Sequence, residues 1–439
     1  MKRVGLLTDA YHADPSYSIN IVAEDQLLML VNSGYKPIAI AEDIFEPARA
    51  WKLAEMRSIP SGIPRGNEIH FHEANEIQVH GKPHPHNWSD DVQRIKAALD
   101  IALEGVDVVI THDLIYQSAA LWLNFAARLY AREHPEVTWL NWVHSASPSP
   151  VWTSKDRRLA AVQRHFPNSK TVYPNEYSRP RVATNFNCEV DQVAVVPHPT
   201  DICGFLGFDE TTTRLVQEKR LLEADAILVY PVRLDRGKQV EYVIRTAAAL
   251  KAIGRSARVI CCDFHSTGKD DKARYREWLK KEAISVGLNE IELTFTSEFD
   301  EAWHVSVPRS VVRSLMLLCN VFVLSSRSET FSLIGQEAGL CGAFLVLNSD
   351  FPAFRDIFSN QAAFYQFSSN IDVMTGLDGS TETKYGDVDD YFRCIALRVA
   401  YELDNNVVLA QQKRIRQTRN PDYIFKHYIE PLLHWSDGG

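Results

Sequence analysis

Short apolar runs alternate along this chain with longer segments in which apolar residues recur at helical spacing. A run of about four to eight apolar residues between polar loops is typical of a buried parallel strand, and a three- or four-residue spacing is typical of an amphipathic helix. In the first half the predicted strands are 3–8, 36–41, 106–111, 137–143, 171–173 and 193–196. The predicted helices are 19–32 and 118–132. The first helix has its apolar stripe on Ile21, Val22, Leu27, Leu28 and Val31.

The alternation restarts after a threonine-rich patch near residues 209–213. The predicted strands are 226–232, 258–262, 291–295, 321–325 and 343–347. The predicted helices are 240–253, 272–286, 309–318, 333–342, 391–417 and 423–435. Strands that alternate with helices indicate βαβ units and a parallel sheet. The pattern therefore predicts an α/β protein with two Rossmann-like, doubly wound domains that face each other, divided near residues 202–225.

Length and charge narrow the class of protein. The chain has 439 residues, 45% hydrophobic and 23% charged, which allows two large cores and excludes a disordered or fibrous protein. The net charge of −9 is spread over both halves, which disfavours a dedicated nucleic-acid or membrane-surface module. No apolar stretch approaches the length of a spanning helix. The seven cysteines are scattered and lack C-x-x-C spacing, so a reducing, cytoplasmic location is expected.

The ends of the predicted strands are where chemistry is expected, since ligands of open parallel sheets bind beyond the carboxyl ends of the strands. The strand at 226–232 leads into Arg233 and Lys238, just before a helix. Arginine offers a planar fork and lysine a compact charge for phosphate oxygens, and a helix N-terminus adds to their field. This loop suits a pyrophosphate. The alternative is a turn with two solvated basic residues.

A second polar segment follows the predicted strand at 321–325. Glu329 precedes the next helix, Ser332 is a good N-cap for it, and Glu337 lies within its otherwise apolar sequence. A carboxylate beside an anion site suits the hydroxyl groups of a sugar or ribose, because it accepts their hydrogen bonds. The alternative is that Glu329 offsets the helix dipole and that Glu337 is solvated.

Together these residues carry a resemblance to a known family. Arg233-x4-Lys238, followed by Glu329-x7-Glu337, resembles the retaining GT-B glycosyltransferases of family 4 and the glycogen-synthase type, the glycosyl transferases group 1. The order of the elements agrees with that family over most of the chain. The resemblance implies two Rossmann-like domains around a cleft, with the C-terminal helix crossing back to the N-terminal domain. The expected domains are an acceptor domain at 1–205, a nucleotide-sugar donor domain at 206–405 and a helical tail at 406–439 that packs toward the N-terminal domain.

Two histidines and several departures complete the comparison. The segments DVVITH and VTWLNWVH, which end in His112 and His144, resemble N-terminal strands of that family. The family's glycine-rich loop after the first strand is absent, and its Asn-Gly pair is replaced by His198 and Pro199. Other residues stand at the family's glycine positions: Gln239, Thr330 and Ser332. These changes bear on which donor binds and on some backbone contacts to it.

The resemblance implies a role for each matching residue. Arg233 and Lys238 would neutralise the donor diphosphate, and Glu329 would hold hydroxyls of the transferred sugar. Glu337 would bind the ribose, and His144 would line the sugar pocket near the reacting carbon. The other expected donor contacts are Thr330, Phe331, Ser332 and Leu333. The implied reaction retains the anomeric configuration and uses no metal and no cofactor, with a UDP- or GDP-sugar as co-substrate.

The acceptor is less defined by sequence. Seven basic residues against two acidic ones lie between residues 155 and 181, in the expected acceptor domain. Lys155, Arg157 and Arg158, together with His112, are the candidate acceptor-binding residues. They would suit an acceptor that carries phosphate, such as a sugar phosphate, a lipid phosphate or a nucleic acid. The alternative is a solvated helix face.

Five histidines between residues 70 and 86 form a separate cluster: His70, His72, His80, His84 and His86. His-x-His spacing on a strand directs both rings to one face, so a metal site is conceivable. No cysteine or compact second pair supports it, and the segment is predicted to be a surface hairpin.

Other functions remain open at this stage. One is a non-catalytic nucleotide-sugar-binding or regulatory protein of the GT-B fold. Another is a GT-B enzyme of a different reaction type, such as a phosphorylase or an epimerase. Residues that read the base are expected around Asp263 and after Phe295.

Overall fold

The computed structural model describes residues 2–8, 17–47, 49–60, 69–71, 77–79, 82–83, 88–117, 120–148, 157–264, 269–327, 329–367, 374–375, 381–382 and 388–435. The chain divides into two compact units. The first combines Met1–Pro199 with Pro421–Gly439, and the second is Thr200–Asn420. The predicted tail at 406–439 is therefore shared: residues 406–420 belong to the second unit and residues 421–439 to the first.

The first unit is built on a parallel sheet. Its described strands, in chain order, are β1 (Val4–Leu7), β2 (Ile38–Glu42), β3 (Glu55–Ile59), β4 (Ile69–Phe71), β5 (Ile77–Val79), β6 (Lys82–Pro83), β7 (Val108–His112), β8 (Thr138–Trp142), β9 (Ser169–Tyr173) and β10 (Val193–Val195). Seven of them pair in parallel in the order β10-β9-β8-β7-β1-β2-β3. The order reverses between β1 and β7, where ligands of such sheets bind.

Both faces of this sheet are covered by apolar packing. Strand residues alternate between two core clusters, with Val108 and Ile110 in one and Val109 in the other, because successive side chains point to opposite faces. The covering helices are Ser18–Asn32, Trp88–Ala102, Leu121–Glu133 and Arg179–Asn185. The end of the chain (helices Pro421–Ile424 and Glu430–Leu433 with a π-turn between them) packs into the same cluster as Val108.

Helix Ser18–Asn32 presents a different face to the core from the predicted one. Its buried side chains are Asn20, Ala23, Gln26, Leu27, Met29 and Leu30. Two members of the predicted stripe, Ile21 and Leu28, are 43% and 37% exposed, so the predicted stripe was wrong in part. The inward face also contains the polar Gln26, which has a partner inside the unit, and apolar periodicity does not reveal such a pairing.

The histidine-rich segment contains a small sheet of its own. Strands β4, β5 and β6 pair antiparallel, as expected of a hairpin. His72, His80, His84 and His86 lie outside the described residues.

The second unit repeats the architecture with a classical dinucleotide-fold strand order. Its described strands are β11 (Ala226–Arg233), β12 (Ala257–Phe264), β13 (Leu293–Phe295), β14 (Val321–Leu324), β15 (Phe344–Asn348), β16 (Ala363–Tyr365), β17 (Met374–Thr375) and β18 (Thr381–Glu382). Six pair in parallel in the order β13-β12-β11-β14-β15-β16, and β17 pairs antiparallel with β18. The order reverses between β11 and β14.

Helices of the second unit alternate with its strands along the chain, and two more helices follow the last strand. They are Ile202–Phe205, Glu210–Glu218, Val240–Ala252, Lys269–Ser285, Thr296–Phe299, Arg309–Leu318, Leu333–Leu340, Ala353–Phe358, Val388–Asn405 and Val407–Thr418. The single helix expected at 391–417 is two helices, because Asn406 interrupts it and caps the second with its side-chain oxygen. None of the helices in the described part of the chain is long and apolar enough to cross a membrane. The predicted fold class of two doubly wound parallel α/β sheets is confirmed.

Candidate active site

The loop that carries Arg233 and Lys238, called the basic loop below, lies where the strand order of the second sheet reverses. Arg233 is the last residue of β11, and its Nε donates to Asp235 Oδ2 at 3.0 Å in an exposed position. Lys238 follows in a 3-10 turn, and Gln239 then begins the helix Val240–Ala252. The sequence argument thus placed both cations correctly at a strand end and a helix start.

Lys238 is held by the carboxylate that was predicted to bind sugar hydroxyls. Its Nζ lies 2.5 Å from Oε1 of Glu329, and each side chain is only about one-fifth exposed, at 23% and 20%. The two residues are 91 positions apart in sequence. They meet because β11 and β14 are neighbours in the sheet and their following loops run side by side.

Buried polar groups at the two strand ends hold these loops together. The Tyr230 hydroxyl donates to the carbonyl of Lys238 at 3.1 Å and lies 3.2 Å from Oγ of Ser326. The Ser325 hydroxyl donates to the carbonyl of Gln239 at 2.8 Å. Tyr230 is 2% exposed, and this burial raises the pKa of its hydroxyl, which therefore stays protonated. Sequence reasoning missed these residues: Tyr230 lies inside β11 among apolar residues, and the two serines directly follow β14.

Two of the residues that stand at the family's glycine positions have a backbone conformation that glycine favours. Gln239 and Ser332 both have left-handed backbones, with φ of 50° and 57°. This is the conformation that glycine adopts without steric cost, so the protein tolerates strain where the family has glycine. Ser332 also caps the helix Leu333–Leu340 as predicted, since its Oγ accepts from the backbone N–H of Gly335 at 3.3 Å.

The other predicted donor contacts surround this cap. Phe331 and Leu333 are 53% and 70% exposed, and Thr330 is also exposed, so the start of the helix is open to a ligand. Glu337 lies farther along the helix, 43% exposed, and accepts from Nη2 of Arg309 at 2.7 Å. Its side chain is therefore partly exposed and forms an ion pair with Arg309.

The expected base-reading region forms one buried network. Asp263 is the next-to-last residue of β12 and is 4% exposed. Its carboxylate accepts from the hydroxyl of Ser297 at 2.5 Å and from the Ser297 backbone N–H at 3.0 Å. Nη1 of Arg276 lies 3.7 Å from the same carboxylate and donates to Ser297 Oγ at 2.8 Å. The structure thus joins Asp263 with the segment after Phe295, and the reading of a base by these residues stays a prediction.

In the first unit, three histidines stack at the ends of strands. Nδ1 of His112 lies 3.0 Å from Nε2 of His144, and its Nε2 lies 3.2 Å from Oε1 of Gln26. The ring of His198 stacks on that of His144 at 5.4 Å. The backbone N–H of His144 donates to Oδ1 of Asp113 at 2.8 Å, which fixes the loop after β8. His112 and His144 were predicted; Gln26 and the stacking of His198 were not.

Burial keeps these rings neutral near neutral pH. Desolvation lowers the pKa of His144 to about 4, with a further contribution from the His198 charge. The pKa of His112 is lowered well below its usual range by desolvation and then by His144 and His198. Desolvation also lowers the pKa of His198. Neutral imidazoles each offer one N–H and one lone pair.

Some basic residues of the stretch between residues 155 and 181 make contacts within the first unit. Nζ of Lys170 donates to the backbone carbonyl of Asp191 at 2.9 Å and lies 4.7 Å from the ring centroid of Trp435, near the end of the chain. Nη1 of Arg179 pairs with Glu176 at 3.2 Å. Lys155 lies outside the described residues, as do the side chains of Arg157 and Arg158, so their proposed contact with an acceptor stays a prediction. No group of three or more His, Cys, Asp or Glu side chains within the described ranges is arranged to hold a metal ion.

The basic loop and the Glu329 loop both lie in a segment that matches a known family. Residues 212–374 match the family of glycosyl transferases group 1. This match covers Arg233, Lys238, Glu329 and Glu337 within the second unit. No curated protein matches the chain.

Several solved structures align with this chain over nearly its whole length at low identity. One is Anabaena HepE in complex with UDP and glucose, 12% identical over 98% of this chain and 99% of that chain, with a TM-score of 0.34. Another is sucrose-phosphate synthase from Thermosynechococcus elongatus, 14% identical over 98% and 96%, with a TM-score of 0.31. A third is the lipopolysaccharide outer core galactosyltransferase WaaB, 12% identical over 97% of each chain, with a TM-score of 0.34. The fold assignment rests on the two sheets and not on these scores.

Proposed function

We propose that this protein is a retaining glycosyltransferase that moves a sugar from a nucleoside-diphosphate sugar, UDP- or GDP-linked, to a hydroxyl acceptor without a metal ion. One observation carries the proposal: Lys238 and Glu329 form an ion pair where the strand order of the second sheet reverses, within the segment that matches glycosyl transferases group 1. A cation and a carboxylate at this place provide for the two halves of such a donor, the diphosphate and the sugar.

The leaving diphosphate gains negative charge as its bond to the sugar breaks. Lys238 and Arg233 would oppose that charge, and the start of helix Leu333–Leu340 would add backbone N–H groups. Groups fixed before the reaction are effective because they need not reorganise, and each such donor is typically worth about 3–4 kcal/mol. The loop that carries Lys238 is already fixed, because the buried Tyr230 hydroxyl donates to the Lys238 carbonyl.

Glu329 would accept hydrogen bonds from sugar hydroxyls, and Glu337 from the ribose. His144 and His112 would meet a hydroxyl of the reactants as neutral groups. Retention would follow from attack on the face of the leaving group: the bond to the diphosphate breaks as the acceptor oxygen bonds to the sugar, and the departing phosphate takes the proton of the acceptor hydroxyl. All seven cysteines are free thiols, which supports a cytoplasmic location.

The donor is tested first, because its binding can be measured before the acceptor is known. Thermal shifts with UDP, GDP and ADP and with their sugars identify the base, since a ligand that binds the folded state raises its apparent stability. A UDP- or GDP-sugar should raise the melting temperature, and the same screen with a chelator present should give the same shift. The absence of any shift with all these nucleotides would contradict the proposal.

Transfer is then tested with variants of the ion pair and a matched control. Lys238→Ala and Glu329→Ala should abolish transfer of labelled sugar while the fold is kept. The control is Lys251→Ala, because Lys251 forms a similar ion pair at 2.7 Å with Glu292 at the other end of helix Val240–Ala252. The control should keep its activity. Normal turnover in both site variants would refute the assignment, and the anomeric configuration of the product, read by proton NMR, tests retention.

The acceptor patch has its own test. Replacing Lys155, Arg157 and Arg158 by glutamine should weaken use of a phosphate-bearing acceptor and leave nucleotide binding unchanged. Lys170 is left intact, since it has a structural contact with Trp435. Equal loss of acceptor use and nucleotide binding would contradict a role in acceptor binding.

A further inference from the structure

The buried Gln26 begins a chain of hydrogen bonds that ends at His144. Gln26 is 2% exposed in the middle of helix Ser18–Asn32, and its Oε1 lies 3.2 Å from Nε2 of His112. The other ring nitrogen of His112 lies 3.0 Å from Nε2 of His144. No hydrogen-bond partner faces Nδ1 of His144 among the residues that the structure describes.

The direction of this chain follows from the chemistry of its first group. An amide oxygen can only accept, so Nε2 of His112 must carry the proton that it shares with Gln26. A neutral imidazole has one N–H, which leaves Nδ1 of His112 as a lone pair. Nε2 of His144 must then donate to that lone pair, and Nδ1 of His144 becomes the remaining acceptor. The lowered pKa values of His112 and His144 support the neutral state of both rings.

We propose that Gln26 is a positioning residue: it sets the tautomers of His112 and His144, so that Nδ1 of His144 accepts a hydrogen bond from a hydroxyl of the reacting sugar or acceptor. Gln26 itself contacts neither reactant. The part of this inference that concerns the hydroxyl rests on the proposed glycosyltransferase function, whereas the tautomers do not depend on it.

The local structure makes such control useful. His144 is half-buried, its backbone N–H is held by Asp113 and its ring stacks on His198, so its orientation is restricted on several sides. A ring that cannot turn presents one nitrogen to a ligand. The tautomer alone determines whether that nitrogen donates or accepts a hydrogen bond. The tautomer in turn depends on Gln26, which lies in a different element, two hydrogen bonds away.

The inference is tested by nitrogen-15 NMR of the full chain with labelled histidine. Long-range proton–nitrogen correlations report which ring nitrogen carries the proton, and the loss of one signal in His112→Gln or in His144→Gln assigns each ring. In the wild-type protein both rings are expected in the Nε2–H form. An Nδ1–H form of His144 in the wild-type protein would overturn the inference, and this measurement needs no further variant.

Gln26→Met removes the acceptor at nearly constant volume. His112 would then have a buried N–H without a partner at Nε2, so its proton should move to Nδ1, donate to His144 and invert both tautomers. A matched control is Gln117→Met, because Gln117 contacts Tyr17 and Asp113 and neither imidazole. The control should leave both tautomers unchanged. Unchanged tautomers in Gln26→Met would overturn the role of Gln26.

Activity separates the two parts of the inference. Gln26→Met should lower kcat/KM of sugar transfer about tenfold, as expected for the loss of one hydrogen bond to a reactant, and leave the dissociation constant of UDP or GDP unchanged. Inverted tautomers with unchanged transfer would overturn the role of His144 Nδ1 toward a hydroxyl. Expected tautomers in a protein that transfers no sugar from any donor would refute that role and the proposed function while leaving the tautomer control by Gln26 in place.

Discussion

The ion pair between Lys238 and Glu329 makes a prediction that distinguishes its two members. Glu329 accepts a hydrogen bond from the Lys238 ammonium group, which the diphosphate would also use. A nucleoside diphosphate without a sugar must therefore compete with Glu329 for Lys238. Glu329→Gln removes that competitor and keeps the shape of the side chain, whereas Lys238→Met removes the cation and keeps most of its length.

The magnitude follows from the partial burial of the pair. Exposed ion pairs contribute about 0–1 kcal/mol, and breaking a buried one costs about 3–5 kcal/mol. With both side chains about one-fifth exposed, a value near 2 kcal/mol is reasonable for this pair. Part of this free energy opposes phosphate binding, so Glu329→Gln should bind UDP or GDP up to about tenfold more tightly. Lys238→Met should bind it more weakly.

Turnover should change in the same direction in both variants. Glu329→Gln should lose about ten- to a hundredfold in kcat/KM, since a hydrogen bond to a charged group contributes about 1.5–3 kcal/mol. Lys238→Met should lose about a hundred- to a thousandfold, the usual effect of removing a fixed group that stabilises the leaving charge. The assays are isothermal titration with the nucleotide and sugar transfer from the nucleotide-sugar. Lys251→Met, which breaks the Lys251–Glu292 pair, serves as the control for general destabilisation.

The decisive result is the opposite sign of the two effects on nucleotide affinity. If Glu329→Gln weakens nucleotide binding as much as Lys238→Met does, Glu329 orients the lysine and does not compete with the phosphate, and the reasoning is refuted. If Lys251→Met reproduces either variant, the effects come from destabilisation of the second unit and not from the site.

Three further predictions concern stability. Burial lowers the pKa of His144 to about 4 from an unfolded value near 6.5, so the unfolded state binds more protons between these values. The free energy of unfolding of the first unit, measured by urea titration, should therefore fall by up to about 3 kcal/mol as the pH falls through this window. His144→Gln should make this dependence on pH less steep. Ser332→Ala should cost about 1 kcal/mol because the cap on Gly335 is lost while φ stays at 57°, and Ser332→Gly should cost less because glycine adopts this backbone freely; equal losses would contradict the strain argument. Arg416→Met should lower the free energy of unfolding of the second unit by about 1.5–3 kcal/mol in urea titrations, since it removes a buried hydrogen bond from a charged guanidinium to the Leu221 carbonyl at 2.8 Å, whereas a loss below about 0.5 kcal/mol would show that the backbone N–H of Ala224 satisfies this carbonyl alone.

The sequence allowed the sheets and the charged residues at strand ends to be predicted, because both depend on local patterns. Apolar runs define parallel strands wherever both faces are covered, and the residue after such a run must lie at the ligand-binding edge. Lys238, Glu329 and His112 were found by this rule. Its success did not depend on knowing which strands are neighbours.

The residues that hold the site could not be predicted in the same way. Tyr230 lies inside β11 and reads as an ordinary apolar strand residue, and Gln26 reads as a solvated position of an amphipathic helix. Both are buried because a polar partner from another element meets them, at Lys238 and at His112 respectively. Such pairing is set by the strand order, which the sequence pattern alone does not contain. The exposure of Ile21 in helix Ser18–Asn32 likewise depends on how neighbouring elements pack, and helical spacing alone does not contain this.

The same topological feature accounts for the position of the candidate site residues in both sheets. Where the strand order reverses, between β1 and β7 and between β11 and β14, the connections leave in opposite directions and the strand ends stay open. Polar side chains placed there must be fixed by protein groups before a ligand arrives, because groups that reorganise during a reaction stabilise its charges poorly. Tyr230 meets this need in the second unit and Gln26 in the first, without adding any charge. Under the proposed function, substitutions at these two positions should therefore change reaction rates more than ligand affinity, whereas a substitution of Glu337, proposed to bind the ribose, should change affinity more.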